Sequence, residues 1–149
     1  MAPALRQRGL TLLELIIVIA LMALLAGVTL PMFGPGVSTS ALRSSARQVA
    51  AGLRTARSEA LAQRRETFLT VDVAGKRFRV DQEAVEHKLP DGISIKLFTA
   101  QNDLVDEKVG SIRFYPDGGS NGGRITLGSG DRKYEVDVDW LTGRVAILD

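Results

Sequence analysis

The fold is decided by the stretch RGLTLLELIIVIALMALLAGVTLP, which occupies residues 8–31. Between Leu15 and Leu30 this stretch has neither a charged residue nor an amphipathic repeat, so a helix formed here is apolar on every side. At about 1.5 Å per residue, residues 10–33 would span roughly 36 Å, and a hydrocarbon core is about 30 Å thick. A chain of 149 residues has little material with which to bury such a helix in a core. We therefore predict a transmembrane helix over residues 10–33.

A short basic leader precedes the apolar helix. Residues 1–9 contain Arg6 and Arg8 and no acidic residue. A secretory signal peptide starts in the same way, but the A-x-A cleavage pattern is missing after the apolar run. Because basic residues favour the cytoplasmic side, the predicted orientation keeps the N-terminus in the cytoplasm. The residues after Phe33 are then carried across the membrane.

Glu14 is the single charged residue between Leu10 and Phe33. A carboxylate inside an apolar helix costs about 2.5–3.5 kcal/mol on membrane-insertion scales, so it needs a partner or a proton. No basic residue lies between Gly9 and Arg43, so the partner has to come from elsewhere. One candidate is a new N-terminal amine, created by cleavage after Gly9.

This N-terminal pattern resembles that of type IV pilins and type II secretion pseudopilins. A basic leader ending in Gly9 is followed by LTLLE and by an apolar run that continues to Pro31. The resemblance implies that a prepilin peptidase cuts between Gly9 and Leu10 and that the new amine of Leu10 is N-methylated. The family usually has Phe where this chain has Leu10, which keeps a large apolar side chain. Glu14 would then be an assembly residue that neutralises the N-terminal amine of a neighbouring subunit.

Residues 34–66 are predicted to form the part of the pilin-like helix region that lies beyond the membrane. From Ser38 to about Arg65, apolar residues recur every three or four positions, which is typical of a helix that packs on a sheet. These residues are Leu42, Ala46, Val49, Leu53, Ala56 and Ala60. Four arginines share a neighbouring flank: Arg43, Arg47, Arg54 and Arg57. The flank is either a solvated face or an electrostatic contact with a partner subunit or an anionic polymer.

Residues 67–149 show a period of two, which is typical of short antiparallel strands. The predicted strands are TFLTVDV, RFRVD, ISIKLFTA, SIRFYP, RITLG, YEVDVDW and RVAIL. A long helix followed by such strands predicts an α+β fold, in which a long N-terminal transmembrane, pilin-like helix precedes a small antiparallel β-sheet domain. The glycine-rich segment DGGSNGG, residues 117–123, lacks the phosphate-loop pattern and precedes a strand, so we predict a hairpin loop.

The composition leaves little room for catalysis. There is no cysteine, which excludes disulfides and thiolate metal sites. The one histidine, His87, lies among charged residues and is expected to face solvent. Asp137 and Asp139 could act as an acid–base pair, and the DGGSNGG oxygens could contact a cation, but no further site residue accompanies either group. We therefore expect no catalytic residue, metal or cofactor, and we do not expect an enzyme.

Three downstream segments resemble one branch of the pilin-like class, the GspH/FimT group: LRTARSEALAQRR, IRFYPDGGSNGGRITL and VDWLTGRVAIL. The resemblance implies a minor pseudopilin near the tip of the periplasmic pseudopilus of a type II secretion system, which supports export of folded proteins across the outer membrane. The implied partners are other pseudopilins, major and minor, the prepilin peptidase and the inner membrane. The implied location is the bacterial inner membrane, with one span and a periplasmic C-terminal domain, and the pseudopilus after assembly.

The alternative function is that of a FimT-like minor type IV pilin, which binds DNA for uptake through the helical arginines and Arg144. FimT-like proteins carry a C-terminal GRxR-like motif, whereas here the last arginine of that motif is replaced by Ala146. The formal net charge is +2, and removal of the two leader arginines gives 2 − 2 = 0. Because phosphate binding needs several convergent cations, we do not expect a nucleic-acid partner.

Overall fold

The structure is a computed structural model, and it describes residues 11–29, 37–81, 83–99, 104–106 and 108–149. The predicted leader, with Gly9 at its end, and Leu10 lie outside the described residues. The chain divides into two compact units, Met1–Pro35 and Gly36–Asp149.

The described part of the first unit is helix α1, Leu12–Thr29. The Thr11 hydroxyl accepts the backbone N–H of Glu14 at 3.3 Å. Threonine followed three residues later by glutamate is the capping-box pattern, which explains why the helix begins here. The large apolar side chains between Leu12 and Leu24 are exposed in the single chain. Among the described residues, no helix combines the length and the apolar character that crossing a membrane requires.

The second unit begins with helix α2, Thr39–Gln63. The Ser38 hydroxyl accepts the backbone N–H of Ala41 at 3.2 Å and so caps the first turn. Every apolar residue predicted to form the packing stripe is buried. Arg64, at the C-cap, has a left-handed backbone (φ 51°). The amphipathic helix predicted between Ser38 and Arg65 is therefore confirmed.

Short strands follow α2: β1 (Thr67–Asp72), β2 (Arg77–Val80), β3 (His87–Lys88), β4 (Ser94–Thr99), β5 (Leu104–Asp106), β6 (Val109–Phe114), β7 (Gly123–Ser129), β8 (Arg132–Val138) and β9 (Val145–Leu148). They form two antiparallel sheets. The first sheet has the order β3-β2-β1-β6-β5, and the second has the order β4-β7-β8-β9. The α+β prediction is confirmed, and the short strands β3 and β5 are additions that the sequence pattern did not indicate.

One apolar core lies between α2 and the two sheets. The helix packs against strands of both sheets, and its buried face is rich in small residues such as Ala46 and Ala56. The facing strands contribute larger side chains, among them Leu69 and Ile112. At the centre, the buried Thr67 hydroxyl donates to the Ala56 carbonyl at 2.6 Å, which ties β1 to the helix.

A small polar network joins β4 of the second sheet to β6 of the first sheet. The Thr99 hydroxyl of β4 donates to the Ser111 carbonyl of β6 at 2.8 Å. The Asn121 side-chain amide donates to the Thr99 hydroxyl at 3.3 Å. These bonds satisfy polar groups between the two sheets, where no backbone ladder joins one sheet to the other. They therefore hold the second sheet in place relative to the first.

The glycine-rich segment 117–123 folds back on β6, with an antiparallel bridge between Phe114 and Ser120, but it does not connect β6 and β7 as a hairpin, so the prediction of a hairpin loop was wrong in that respect. It joins β6 to β7, and these two strands belong to different sheets. The Ser120 hydroxyl donates to the Arg113 carbonyl at 2.6 Å, and the Asn121 side chain accepts the Arg113 N–H at 2.9 Å. The backbone N–H of Asn121 also donates to the Arg113 carbonyl at 3.2 Å, so backbone and side chains together fasten the segment to the end of β6 before the chain leaves the first sheet. Gly122 and Gly123 follow with φ of 74° and 154°, which favour glycine.

Candidate functional site

Glu14 lies in the first turn of α1, where a negative charge interacts favourably with the helix dipole. Its backbone N–H is bound by Thr11, and the residue is exposed. No basic residue belongs to α1, so the helix itself offers no counter-charge to this carboxylate. The geometry leaves Glu14 available to a cation from another chain.

The predicted arginine flank is a real surface of α2, and we call Arg43, Arg47, Arg54 and Arg57 the arginine face. At 3.6 residues per turn the four positions fall within an arc of about 80°. The first three are exposed and Arg57 is half-buried. Between Thr39 and Ser58 the helix has no acidic residue, so the face carries an uncompensated charge along α2.

Arg57 connects α2 to two loops of the β domain. Its Nε donates to the Gly118 carbonyl at 3.2 Å and its Nη2 donates to the Thr142 carbonyl at 2.9 Å. One turn earlier, Arg54 Nη2 donates to the Val145 carbonyl of β9 at 3.4 Å. The sequence predicted neither contact, because the positions of the partner carbonyls depend on the tertiary fold.

The turn between β8 and β9 is tightly built. Asp139 Oδ1 accepts both the backbone N–H and the hydroxyl of Thr142, each at 2.8 Å. The hydrogen bond from the Thr142 backbone N–H, followed by that from its hydroxyl, lowers the pKa of the Asp139 carboxyl below its ordinary value. Gly143 then takes a left-handed backbone (φ 61°) and donates its N–H to the Asp139 carbonyl at 2.8 Å. The turn therefore carries a fixed negative charge.

Arg144 follows this turn and is exposed. Together with Arg57, Asp139 and Thr142 it lines a shallow groove of about 440 Å³. The structure thus brings Arg144 beside the C-terminal end of the arginine face. Arg43 and Arg47 lie on earlier turns of α2 and do not line this groove.

A second, larger groove of about 760 Å³ is bounded by two exposed aromatic side chains. Phe98 on β4 is 78% exposed and Trp140 in the β8–β9 turn is 67% exposed. Between them lies the ion pair of Arg124 Nε and Asp137 Oδ1, at 2.9 Å. Exposed aromatic residues beside an arginine are typical of protein interaction surfaces. The alternation of ISIKLFTA is a sequence signal for this surface, because it places Phe98 with Lys96 on the outward face of β4.

The groups considered for catalysis have structural partners. Asp137 pairs with Arg124, whereas Asp139 bonds within its own turn, so the two carboxylates are engaged separately. In the glycine-rich segment, Asp117 Oδ1 accepts the Gly119 N–H at 2.9 Å. In the part of the chain that the structure describes, no group of three acidic, histidine or cysteine residues is placed to hold a metal ion.

His87 is exposed, as the sequence predicted, but it is not without contacts. Its ring stacks on Phe78, with centroids 4.9 Å apart and an interplanar angle of 16°. Its Nε2 lies 3.4 Å from a carboxylate oxygen of Glu83. The residue thus covers one edge of the first sheet.

A helix followed by a two-sheet antiparallel domain, with a capped glutamate at the start of that helix, defines a pilin-like protein. The chain matches the family described as Type II transport protein GspH over residues 45–143, and the prokaryotic N-terminal methylation motif over residues 5–30. It therefore belongs to the GspH family of type II transport proteins. The Type II secretion system protein H of Xanthomonas campestris pv. campestris is 34% identical over 147 residues, covering 97% of this chain and 86% of that protein.

Solved structures show the same fold. The minor pseudopilin EpsH from the type 2 secretion system of Vibrio cholerae superimposes with a TM-score of 0.58 at 13% identity, over 72% of this chain and 95% of that one. The type IV minor pilin FimU of Pseudomonas aeruginosa superimposes with a TM-score of 0.53 at 17% identity, over 72% of this chain and 92% of that one. At these identities the likeness describes the fold and not the function.

Proposed function

We propose that this protein is a minor pseudopilin of a type II secretion system and assembles near the tip of the periplasmic pseudopilus. The observation that carries the proposal is the match to the methylation motif at residues 5–30 in the same chain as a GspH domain at residues 45–143. The named Xanthomonas relative supports the same system. In this role the filament supports export of folded proteins across the outer membrane, and the subunit acts by assembly rather than by catalysis.

The proposed location follows from the N-terminal segment. Residues 10–33 would anchor the chain in the bacterial inner membrane as a single span, with the N-terminus in the cytoplasm and the β domain in the periplasm. The support for this placement is the charge-free sequence from Leu15 to Leu30 and the basic leader before it. The chain would leave the membrane when it enters the pseudopilus.

The proposed processing and assembly chemistry involves Gly9, Leu10 and Glu14. The prepilin peptidase would cut after Gly9, and Leu10 would carry the methylated amine. Glu14 would then neutralise the amine of a neighbouring subunit, because each charge is costly to leave unpaired in an apolar bundle. The exposed position of Glu14 in a helix without basic residues supports this role.

DNA uptake receives less support. Removal of the two leader arginines would leave a formal net charge of 2 − 2 = 0, whereas phosphate binding needs several convergent cations. The groove beside Arg144 also contains the Asp139 carboxylate, which repels phosphate. The likeness to FimU is one of fold, so it does not favour a nucleic-acid partner.

Processing provides the direct test of the proposal. The protein extracted from membranes of cells that contain the peptidase is expected to begin at methylated Leu10, as measured by mass spectrometry of its N-terminal peptide. Gly9→Ala should slow the cut, because the added methyl group lies at the scissile bond. An intact Met1 terminus, or a cut near Gly27, would contradict the proposal.

A further inference from the structure

The arginine face gathers four cations on one arc of α2, and none of the four has an acidic partner within the described residues. Within the described residues, no carboxylate oxygen lies within 4 Å of Arg43, Arg47, Arg54 or Arg57. By contrast, Arg65, Arg77, Arg113 and Arg124 each form an ion pair. Arg79 and Arg132 also form no ion pair within the described residues, but they lie on two different strands, β2 and β8. The clustering of unpaired charge is therefore the particular property of the arginine face.

The carbonyl contacts hold this face in position without neutralising it. Arg54 and Arg57 donate to the carbonyls of Val145, Gly118 and Thr142, and these acceptors carry no net charge. Two guanidinium groups are thus fixed while their positive charge is kept. From Arg43 to Arg57 the face extends about 21 Å along α2, and Arg144 adds a further cation at its C-terminal end.

The chemistry around the face favours a protein over a polyanion. The Asp139 carboxylate shares the groove of Arg57 and Arg144, and its lowered pKa keeps it ionised, so a continuous phosphate chain meets repulsion there. Leu61 lies on the same arc of α2 and is 43% exposed, which offers an apolar contact beside the charges. Separate carboxylates on a folded surface can meet the arginines and avoid Asp139.

We propose that the arginine face docks on an acidic surface of a neighbouring pseudopilin. The inference rests on the proposed function, because it takes the partner to be another subunit of the pseudopilus. The argument is one of charge complementarity. Neutral carbonyls position Arg54 and Arg57 but leave their positive charge unpaired, so the face fits a partner that supplies carboxylates. Contacts of this kind set the orientation and the partner of a subunit more than the total affinity.

The test uses the full-length chain in cells that carry the other pseudopilins of its secretion system. A photo-cross-linking amino acid replaces Ser58, which is exposed and lies about 20° outside the arc of the arginine face. A second variant carries the same amino acid at Val18, on α1. Adducts are identified by mass spectrometry, and the Ser58 adduct is expected to join another pseudopilin at a peptide with acidic residues.

Charge reversal gives the decisive comparison. The double variant Arg43→Glu and Arg47→Glu is expected to reduce the Ser58 adduct at least about fivefold, because two attractions become repulsions. The Val18 adduct should persist. Arg43→Lys with Arg47→Lys should keep most of the Ser58 adduct, since the charge remains. Arg79→Glu with Arg132→Glu is the matched control, because both residues are exposed and belong to strands β2 and β8 instead of the arginine face of α2.

The outcomes separate this inference from the proposed function. An unchanged Ser58 adduct after charge reversal, a wild-type chain without that adduct, or an adduct to nucleic acid or phospholipid would overturn the docking proposal. Equal loss in the Arg79 and Arg132 control would also overturn it. The proposed function fails by a different result: a wild-type chain that gives no adduct with any pseudopilin at Val18.

Discussion

At the scale of single residues, Gly143 is the position least able to accept a side chain. It is buried and has φ 61°, and a Cβ built there would collide with the Gly118 carbonyl and lie 2.9 Å from Arg57 Nε. We expect Gly143→Ala to lower the free energy of unfolding by about 3 kcal/mol, because the left-handed backbone costs about 1–2 kcal/mol and the collision adds to it. Chemical unfolding of the full-length chain in a non-ionic detergent, followed by circular dichroism, measures the change.

Gly130 provides the matched control for this prediction. It has nearly the same backbone angle, φ 59°, but nothing lies within 4 Å of a Cβ built on it. Gly130→Ala should therefore cost only about 1 kcal/mol, from the backbone alone. Equal losses for the two variants would show that the packing around Gly143 is not what restricts it.

The sequence could identify the important arginines, but it could not show which groups they contact. The five arginines of interest were all named from their positions, and the helical spacing correctly grouped four of them on one face. Whether a guanidinium faces water or a carbonyl 61 or 85 residues away along the chain is decided by tertiary packing. The bond between the Thr11 hydroxyl and the Glu14 N–H, in contrast, is local, and the sequence TLLE is enough to predict it.

At the scale of elements, Arg57 joins α2, the segment after β6 and the turn before β9. Arg57→Ala removes both of its bonds and leaves two carbonyls without that donor. We expect a loss of about 1–3 kcal/mol in the free energy of unfolding, because hydrogen bonds from a charged donor contribute about 1.5–3 kcal/mol each and this side chain is partly solvated. Hydrogen exchange should accelerate in residues 116–122 and 139–144, and thermal unfolding measures the stability.

Arg43→Ala is the control for the Arg57 variant. Arg43 is exposed on the same helix, so its removal should change the free energy of unfolding by no more than about 0.5 kcal/mol. A loss in Arg43→Ala comparable to that in Arg57→Ala would indicate that helix propensity, and not the two carbonyl bonds, determines the result.

The β8–β9 turn is expected to depend on pH through Asp139. The folded state lowers the pKa of this carboxyl, so its contribution to stability is present above the unfolded pKa and is lost as the pH falls through the folded pKa. Asp139→Asn should therefore be less stable than the wild type at pH 7. The difference should shrink below about pH 4, where an unfolded aspartate becomes protonated.

Thermal unfolding of both proteins across this pH range makes the comparison. Asp131→Asn, in the β7–β8 turn, removes one exposed carboxylate and controls for net charge. A difference between the wild type and Asp139→Asn that stays constant down to pH 3 would contradict a role for the ionised carboxylate.

The elements themselves were largely predictable, and their partners were not. Periodicity is a local signal, so α2 and the longer strands were found within a few residues. Strand pairing is non-local: β1 pairs with β6 across the sequence between them, and the hairpin expected around DGGSNGG became a crossing between sheets. The side chains of Ser120 and Asn121 bond to the backbone of Arg113, and these contacts depend on where Arg113 lies in the folded chain.

At the scale of the whole molecule, the chain combines an apolar N-terminal unit with a β domain that has its own core. Assembly through the first unit would bring copies of this protein, or related pseudopilins, together along their N-terminal helices. The arginine face and the aromatic groove belong to the second unit, so they can select which neighbour is bound. In the proposed function, Glu14 of the first unit would serve assembly itself, and the surface of the second unit would select the neighbour.

The proposed assembly role of Glu14 can be separated from its place in the helix cap. Glu14→Ala should reduce cross-linking to partner pseudopilins, because a neighbour's amine loses its counter-charge in an apolar bundle. Insertion of the isolated helix should become easier by about 2.5–3.5 kcal/mol, the insertion cost of the charge. Cleavage after Gly9 should largely persist, since the scissile bond is several residues upstream. Immunoblots for the mature form and cross-linking yields measure the two effects.

Two further variants decide between charge and capping as the cause. Glu14→Gln should behave like Glu14→Ala, since an amide cannot neutralise an ammonium group. Thr11→Val keeps the carboxylate but removes the hydroxyl that binds the Glu14 N–H, so it should cost about 1 kcal/mol of helix stability and leave cross-linking nearly intact. If Glu14→Ala cross-links and supports secretion like the wild type, the pairing role is wrong for this subunit. A subunit at the tip has few neighbours ahead of it, so its Glu14 would have few amines to pair with. In the major pseudopilin each copy has such a neighbour. The same substitution there therefore distinguishes a tip position of this subunit from an incorrect mechanism.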